Sequence, residues 1–113
     1  MSTDATSPPV EVYEATRLGG PTGAVQRGDS PLEDNAAVER LKAAEDIVAC
    51  SANRRANRNK ARQLTERAFG GFEEDQPHQG RMSLPHFHPA RRTPDVHAFY
   101  EAPPRHARKR KKP

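Results

Sequence analysis

The sequence predicts a small α+β domain in which two helices pack on a short antiparallel sheet. Two observations carry that expectation. Apolar residues recur at helical spacing in two separate stretches, and an alternating segment, Val96 to Tyr100, follows a proline-rich stretch that cannot stay helical. With 113 residues, 33% of them hydrophobic, six aromatic and no Trp, the chain has room for one thin core.

Residues 1–29 carry Pro8, Pro9, Gly19, Gly20, Pro21, Gly23 and Gly28 among scattered apolar positions, and read as a flexible lead-in or linker. The domain proper is expected over residues 30–104. Its first helix starts at Ser30, which can cap, with Pro31 suited to the first helical position and Glu33 placed for a capping box. Ala37, Leu41, Ala44 and Val48 give one apolar stripe, and the helix ends near Ala44 or beyond. The run Asp46 to Cys50 fits either the end of that helix or a short buried strand, and periodicity does not separate the two. Ser51 to Asn53 reads as a turn that can cap the next element. The second helix spans Asn57 to Phe69, with Ala61, Leu64 and Ala68 on one side, and Gly70 and Gly71 end it. Pro77, Pro85, Pro89 and Pro94 then favour extended segments and turns. The closing strand puts Val96, Ala98 and Tyr100 on one face and His97 and Phe99 on the other. Residues 105–113 hold six basic residues and read as a disordered basic tail.

Charge is segregated. Up to Ala52 there are 4 basic and 9 acidic residues, a net −5; beyond it there are 15 and 6, a net +9. A basic half of this kind points to a polyanionic partner, because clustered Lys and Arg release counterions from phosphates. RNA is the favoured nucleic acid. No apolar run is long enough for a membrane span, no secretory signal is evident, and the mean hydropathy is −1.02, so the chain is expected to be soluble and to have no membrane partner. The single cysteine, Cys50, excludes an internal disulfide framework and reads as a buried core residue.

All five histidines, His78, His86, His88, His97 and His106, fall in the last 36 residues, interleaved with Arg81, Arg91 and Arg92. Histidine titrates nearest neutrality, so it can take a proton and return one, and a guanidinium fork can grip a phosphate at two points. If Leu84 to Pro89 is extended, His86 and His88 share one face and Phe87 takes the other. Such a pair supports cleavage of RNA without a metal, with His97 or His78 as supporting members and Arg81 and Arg91 as the phosphate clamp. No cofactor is then expected. The same pair can also chelate zinc, with His78 or His97 as third ligand, or the histidines can be surface residues without chemistry. Arg55, Arg58 and Arg62, on a helix face that no acidic residue interrupts from Asn53 to Thr65, are further candidates for phosphate contact. Phe69 and Phe99 are expected to pack, while the Tyr100 hydroxyl can reach either the core or the histidines.

The stretch from Glu45 to Ala68, the Pro77–His78–Gln79 segment, LPHFHP at Leu84 to Pro89 and HAFYE at His97 to Glu101 together resemble the C-terminal toxin domains of bacterial polymorphic toxin systems, over roughly residues 38–110. Several such modules are nucleases, some of them metal-independent ribonucleases with a small α+β fold. The resemblance implies ribonuclease activity, action in the cytoplasm of a target cell after delivery within a longer secreted chain, and a cognate immunity protein as partner. A basic nucleic-acid-binding protein without catalysis is the alternative from another class, and a zinc-dependent nuclease is the third.

Overall fold

In the computed structural model, which describes residues 9–18, 24–75, 84–90 and 94–103, eight elements follow one another. They are β1 (Glu11–Arg17), β2 (Val25–Leu32), α1 (Asp34–Lys42), β3 (Ile47–Cys50), α2 (Arg54–Phe69), β4 (Glu73–Asp75), β5 (His86–His88) and β6 (Ala98–Tyr100). The predicted α+β class holds, with both helices on a sheet. That sheet is larger than expected and mixed: six strands in the order β2-β1-β3-β6-β5-β4, with β3 and β6 parallel and the remaining neighbours antiparallel.

The stretch read as a lead-in contributes β1 and most of β2, which moves the start of the folded unit to the beginning of the described residues. Few apolar side chains are needed there, because β1 is ordered by its ladder to β3, from Glu11 opposite Cys50 to Glu14 opposite Ile47. Val12 on one face and Ala15 on the other are buried. Opposite Glu14 the hairpin register shifts, so that Gly28, Asp29 and Ser30 of β2 span the space of one residue of β1. A Cβ at Gly28 would stand 3.2 Å from the Glu14 Cβ, which is why glycine passes here. Ser30 and Pro31 lie in β2 and do not open the helix. As an edge strand, β2 tolerates the missing N–H donor of proline.

Helix α1 begins instead at Asp34, with extended Glu33 before it and no side-chain cap. It buries Ala37, Val38 and Leu41. Its end is a Schellman turn, with Glu45 N–H donating to Arg40 O at 2.8 Å and Ala44 N–H to Leu41 O at 2.9 Å. Ala44, exposed and at φ 64°, occupies the left-handed position, so the predicted apolar stripe stops at Leu41. The run Ile47 to Cys50 is a strand, buried along its whole length in the centre of the sheet.

Helix α2 starts one turn earlier than predicted, capped by Asn53, whose Oδ1 accepts from Ala56 N–H at 3.0 Å. Gly70, at φ 80°, ends it. Both helices lie on one face of the sheet, over a core that includes Leu41, Ile47, Leu64, Phe87, Val96 and Tyr100. The opposite face carries Ala15, Val25, Val48, Cys50 and Phe99, and among the described residues no helix residue belongs to that cluster. Among the described residues no helix is long and apolar enough to cross a membrane.

Candidate active site

Strand β5 is only three residues long, and its alternation sorts HFH as expected: Phe87 enters the core beneath α2, while His86 and His88 stand on the helix-free face. His86 is paired in register with Phe99 of β6, and His97, just before β6, projects from the same face. Three of the predicted histidines are thereby brought together. The ring centroids of His86 and His97 are 4.4 Å apart, edge to face, and His88 lies 6.0 Å from His86 and 6.4 Å from His97. Phe99 stacks against His97 at 5.3 Å and supports the group from below.

The rings are not loose surface groups. His86 is 1% exposed and His88 3%. His86 Nδ1 lies 3.3 Å from Leu84 O and His88 Nδ1 lies 3.1 Å from Pro89 O. A carbonyl only accepts, so each Nδ1 carries the hydrogen and a neutral ring keeps its lone pair on Nε2. His97 differs: its side chain is 17% exposed, and its buried Nδ1 has no hydrogen-bond partner among the described residues. Burial first, then the neighbouring His86 and Arg17, pushes its pKa down to about 4, so it is neutral at pH 7.

Two residues that sequence reasoning missed sit beside His97. Asp46, at the entry to β3 and 7% exposed, accepts the His97 backbone N–H at 2.8 Å and holds Arg17 Nε at 2.7 Å. Arg17 belongs to the stretch read as a linker. A lone Asp before an apolar run gives no signal of its own.

The arginine face of α2 separates into parts. Arg58 is committed to structure: Nε and Nη2 each donate to Glu74 at 2.9 Å, and the guanidinium lies over the Phe87 ring. Tyr100 donates to the same Glu74 at 2.5 Å, so its hydroxyl is on the helix side, away from the histidines. The bond from Arg58 holds the Glu74 carboxyl below its ordinary range, while burial and then Glu74 push the Tyr100 phenol up to about 12. Arg62 pairs with Glu66 at 3.5 Å and leans on Phe72. Arg55 is exposed. Cys50 is buried, and desolvation pushes its thiol up to about 11, as suits a core residue and not a nucleophile.

His78, Arg81, Arg91, Arg92, His106 and the basic tail lie outside the described residues. Among the described residues no group of three or more His, Cys, Asp or Glu side chains is disposed to hold a metal ion. Comparison of the chain with protein-family models, with curated proteins and with solved structures finds no match.

Proposed function

We propose that the protein is a ribonuclease of the polymorphic-toxin kind, cleaving RNA by histidine acid/base catalysis without a metal. The observation that carries the reading is the convergence of His86, His88 and His97 on one sheet face. The His86 and His97 rings are 4.4 Å apart, whereas His88 lies 6.0 Å from His86 and 6.4 Å from His97; in this reading His86 and His88 serve as the acid/base pair with His97 in support. One imidazole takes the proton from the ribose 2′-hydroxyl as that oxygen attacks phosphorus. The other protonates the departing 5′-oxygen, leaving a 2′,3′-cyclic phosphate and a free 5′-hydroxyl. The basic half of the chain brings RNA to the site, and a cognate immunity protein is the partner this reading implies.

RNA cleavage is expected to persist in EDTA and to vanish in the His86→Ala, His88→Ala double variant, with a melting curve confirming that the variant folds. Retained cleavage in a folded double variant would sink the assignment, and loss of cleavage in EDTA would move it to a metal-dependent nuclease.

The burial of His86 and His88 favours a second reading, in which the trio is structural and the basic surface only binds nucleic acid. Steeply salt-dependent RNA binding with no cleavage decides for that reading.

A further inference from the structure

We propose that Asp46 and Arg17 complete the histidine site, Asp46 as the positioning residue of His97 and Arg17 as the group that grips the substrate phosphate. The identity of that phosphate as part of RNA rests on the ribonuclease reading; the anion-binding arrangement rests on geometry.

Asp46 is anchored from three sides. Its main-chain oxygen accepts from Arg40 Nε at 3.3 Å and Nη2 at 3.0 Å, its carboxylate accepts from Arg17 Nε, and Oδ1 also takes the His97 backbone N–H at 2.8 Å. The same Oδ1 lies 4.0 Å from His97 Nδ1, the buried nitrogen that has no partner among the described residues. A small rotation of the imidazole closes that gap. With Nδ1–H donated to the carboxylate, Nε2 holds the lone pair, and the imidazolium formed on proton uptake is stabilised.

Arg17 is held with its outer edge toward solvent. Nε is spent on Asp46, Nη2 is 3.4 Å from both Asp46 Oδ1 and Asp95 O, and Nη1 has a loose 3.7 Å contact to the Asp95 carboxylate. Arg17 is 41% exposed and Asp95 82% exposed, so water competes for that last contact and a phosphate can replace it. Among the described residues, the charged and titratable groups around His97 are His86 and His88 from β5, Arg17 from β1, Asp46 at the start of β3 and Asp95 beside it. A phosphate on Arg17 adds negative charge to this set and favours protonation of His97 where a proton must move.

The test uses the full chain, inorganic phosphate as probe and an RNA cleavage assay in parallel. Phosphate is expected to shift the NMR signals of Arg17 Nε–H and the His97 ring. Arg17→Gln weakens phosphate binding by about tenfold, the loss of one charge-assisted contact, and slows cleavage; Arg17→Lys restores part of both. Asp46→Asn changes the tautomer pattern of the His97 nitrogens and moves the acid limb of the cleavage pH profile. Unaltered phosphate binding in folded Arg17→Gln overturns the proposal, and this variant decides alone if Asp46→Asn does not fold. If wild type binds phosphate through Arg17 yet cleaves no RNA, the anion site stands and the ribonuclease reading falls. If wild type cleaves and neither variant alters rate, pH profile or phosphate binding, the reverse holds.

Discussion

Asn57 shows how much of the packing depends on single polar residues. It is fully buried in α2, yet every polar atom of its side chain is used: Nδ2 donates to Ser51 O and Glu101 O, both at 2.9 Å, and Oδ1 accepts from the Ser51 hydroxyl at 2.5 Å. It thus ties the start of α2 to the chain leaving β3 and the chain leaving β6. Asn57→Ala strands these partners and is expected to cost roughly 2–3 kcal/mol, read from the urea midpoint. His97 gives the pH dependence. Its pKa is lowered to about 4 from an ordinary 6.5, so the unfolded chain takes up the proton first as pH falls. Stability from this residue is complete above about pH 6.5 and is lost on descent toward 4, on the order of 3 kcal/mol in all. His97→Gln is expected to flatten that acid limb in denaturation midpoints taken across the window. A limb unchanged from wild type would assign the acid sensitivity to other groups.

Among the elements, α1 ends on a residue poorly suited to its position. Ala44 sits at φ 64°, where a Cβ costs about 1 kcal/mol, and the flanking Schellman hydrogen bonds are formed all the same. Ala44→Gly is expected to raise the melting temperature by the equivalent of about 0.5–1 kcal/mol, without touching the histidine face. On α2 the structural arginine can be separated from the one proposed to contact RNA. Arg58→Ala breaks the joint from α2 through Glu74 to Tyr100 and is expected to lower thermal stability. Arg55→Ala, on an exposed residue, should leave the melt unchanged while weakening RNA binding and reducing its salt slope by about one charge. Equal effects of the two substitutions on RNA affinity, with equal melts, would contradict this division.

Over the whole molecule, the parts legible in the sequence are those whose order is local. Helix α2 is legible by its apolar stripe and its glycine stop, though not in its start one turn before Asn57, and the alternation around Phe87 and through Val96 to Tyr100 assigns faces correctly. The hairpin of β1 and β2 was not legible, because its order comes from a ladder to β3 and not from its own apolar content. Ser30 and Pro31 satisfy a helix-start pattern as well as they satisfy an edge strand, and only the tertiary partner decides. The candidate site divides in the same way. The histidines were visible by composition, whereas Asp46 and Arg17 join them through contacts 51 and 29 residues long in sequence, which no local pattern encodes.

The position of β3 bears on how the protein reaches this structure. Its four residues, IVAC, are buried on both faces and paired on both edges, to β1 on one side and to β6 on the other. Because β6 lies about fifty positions further along the chain, a folding molecule that has formed β2, β1, β3 and the helices still offers one bare edge of an entirely apolar strand. Until β6 docks, that edge can recruit the same edge of another molecule. Refolding yield should therefore fall with rising protein concentration, and a charge placed at Ala98, which blocks docking of β6, should convert the protein to aggregate rather than to monomeric coil.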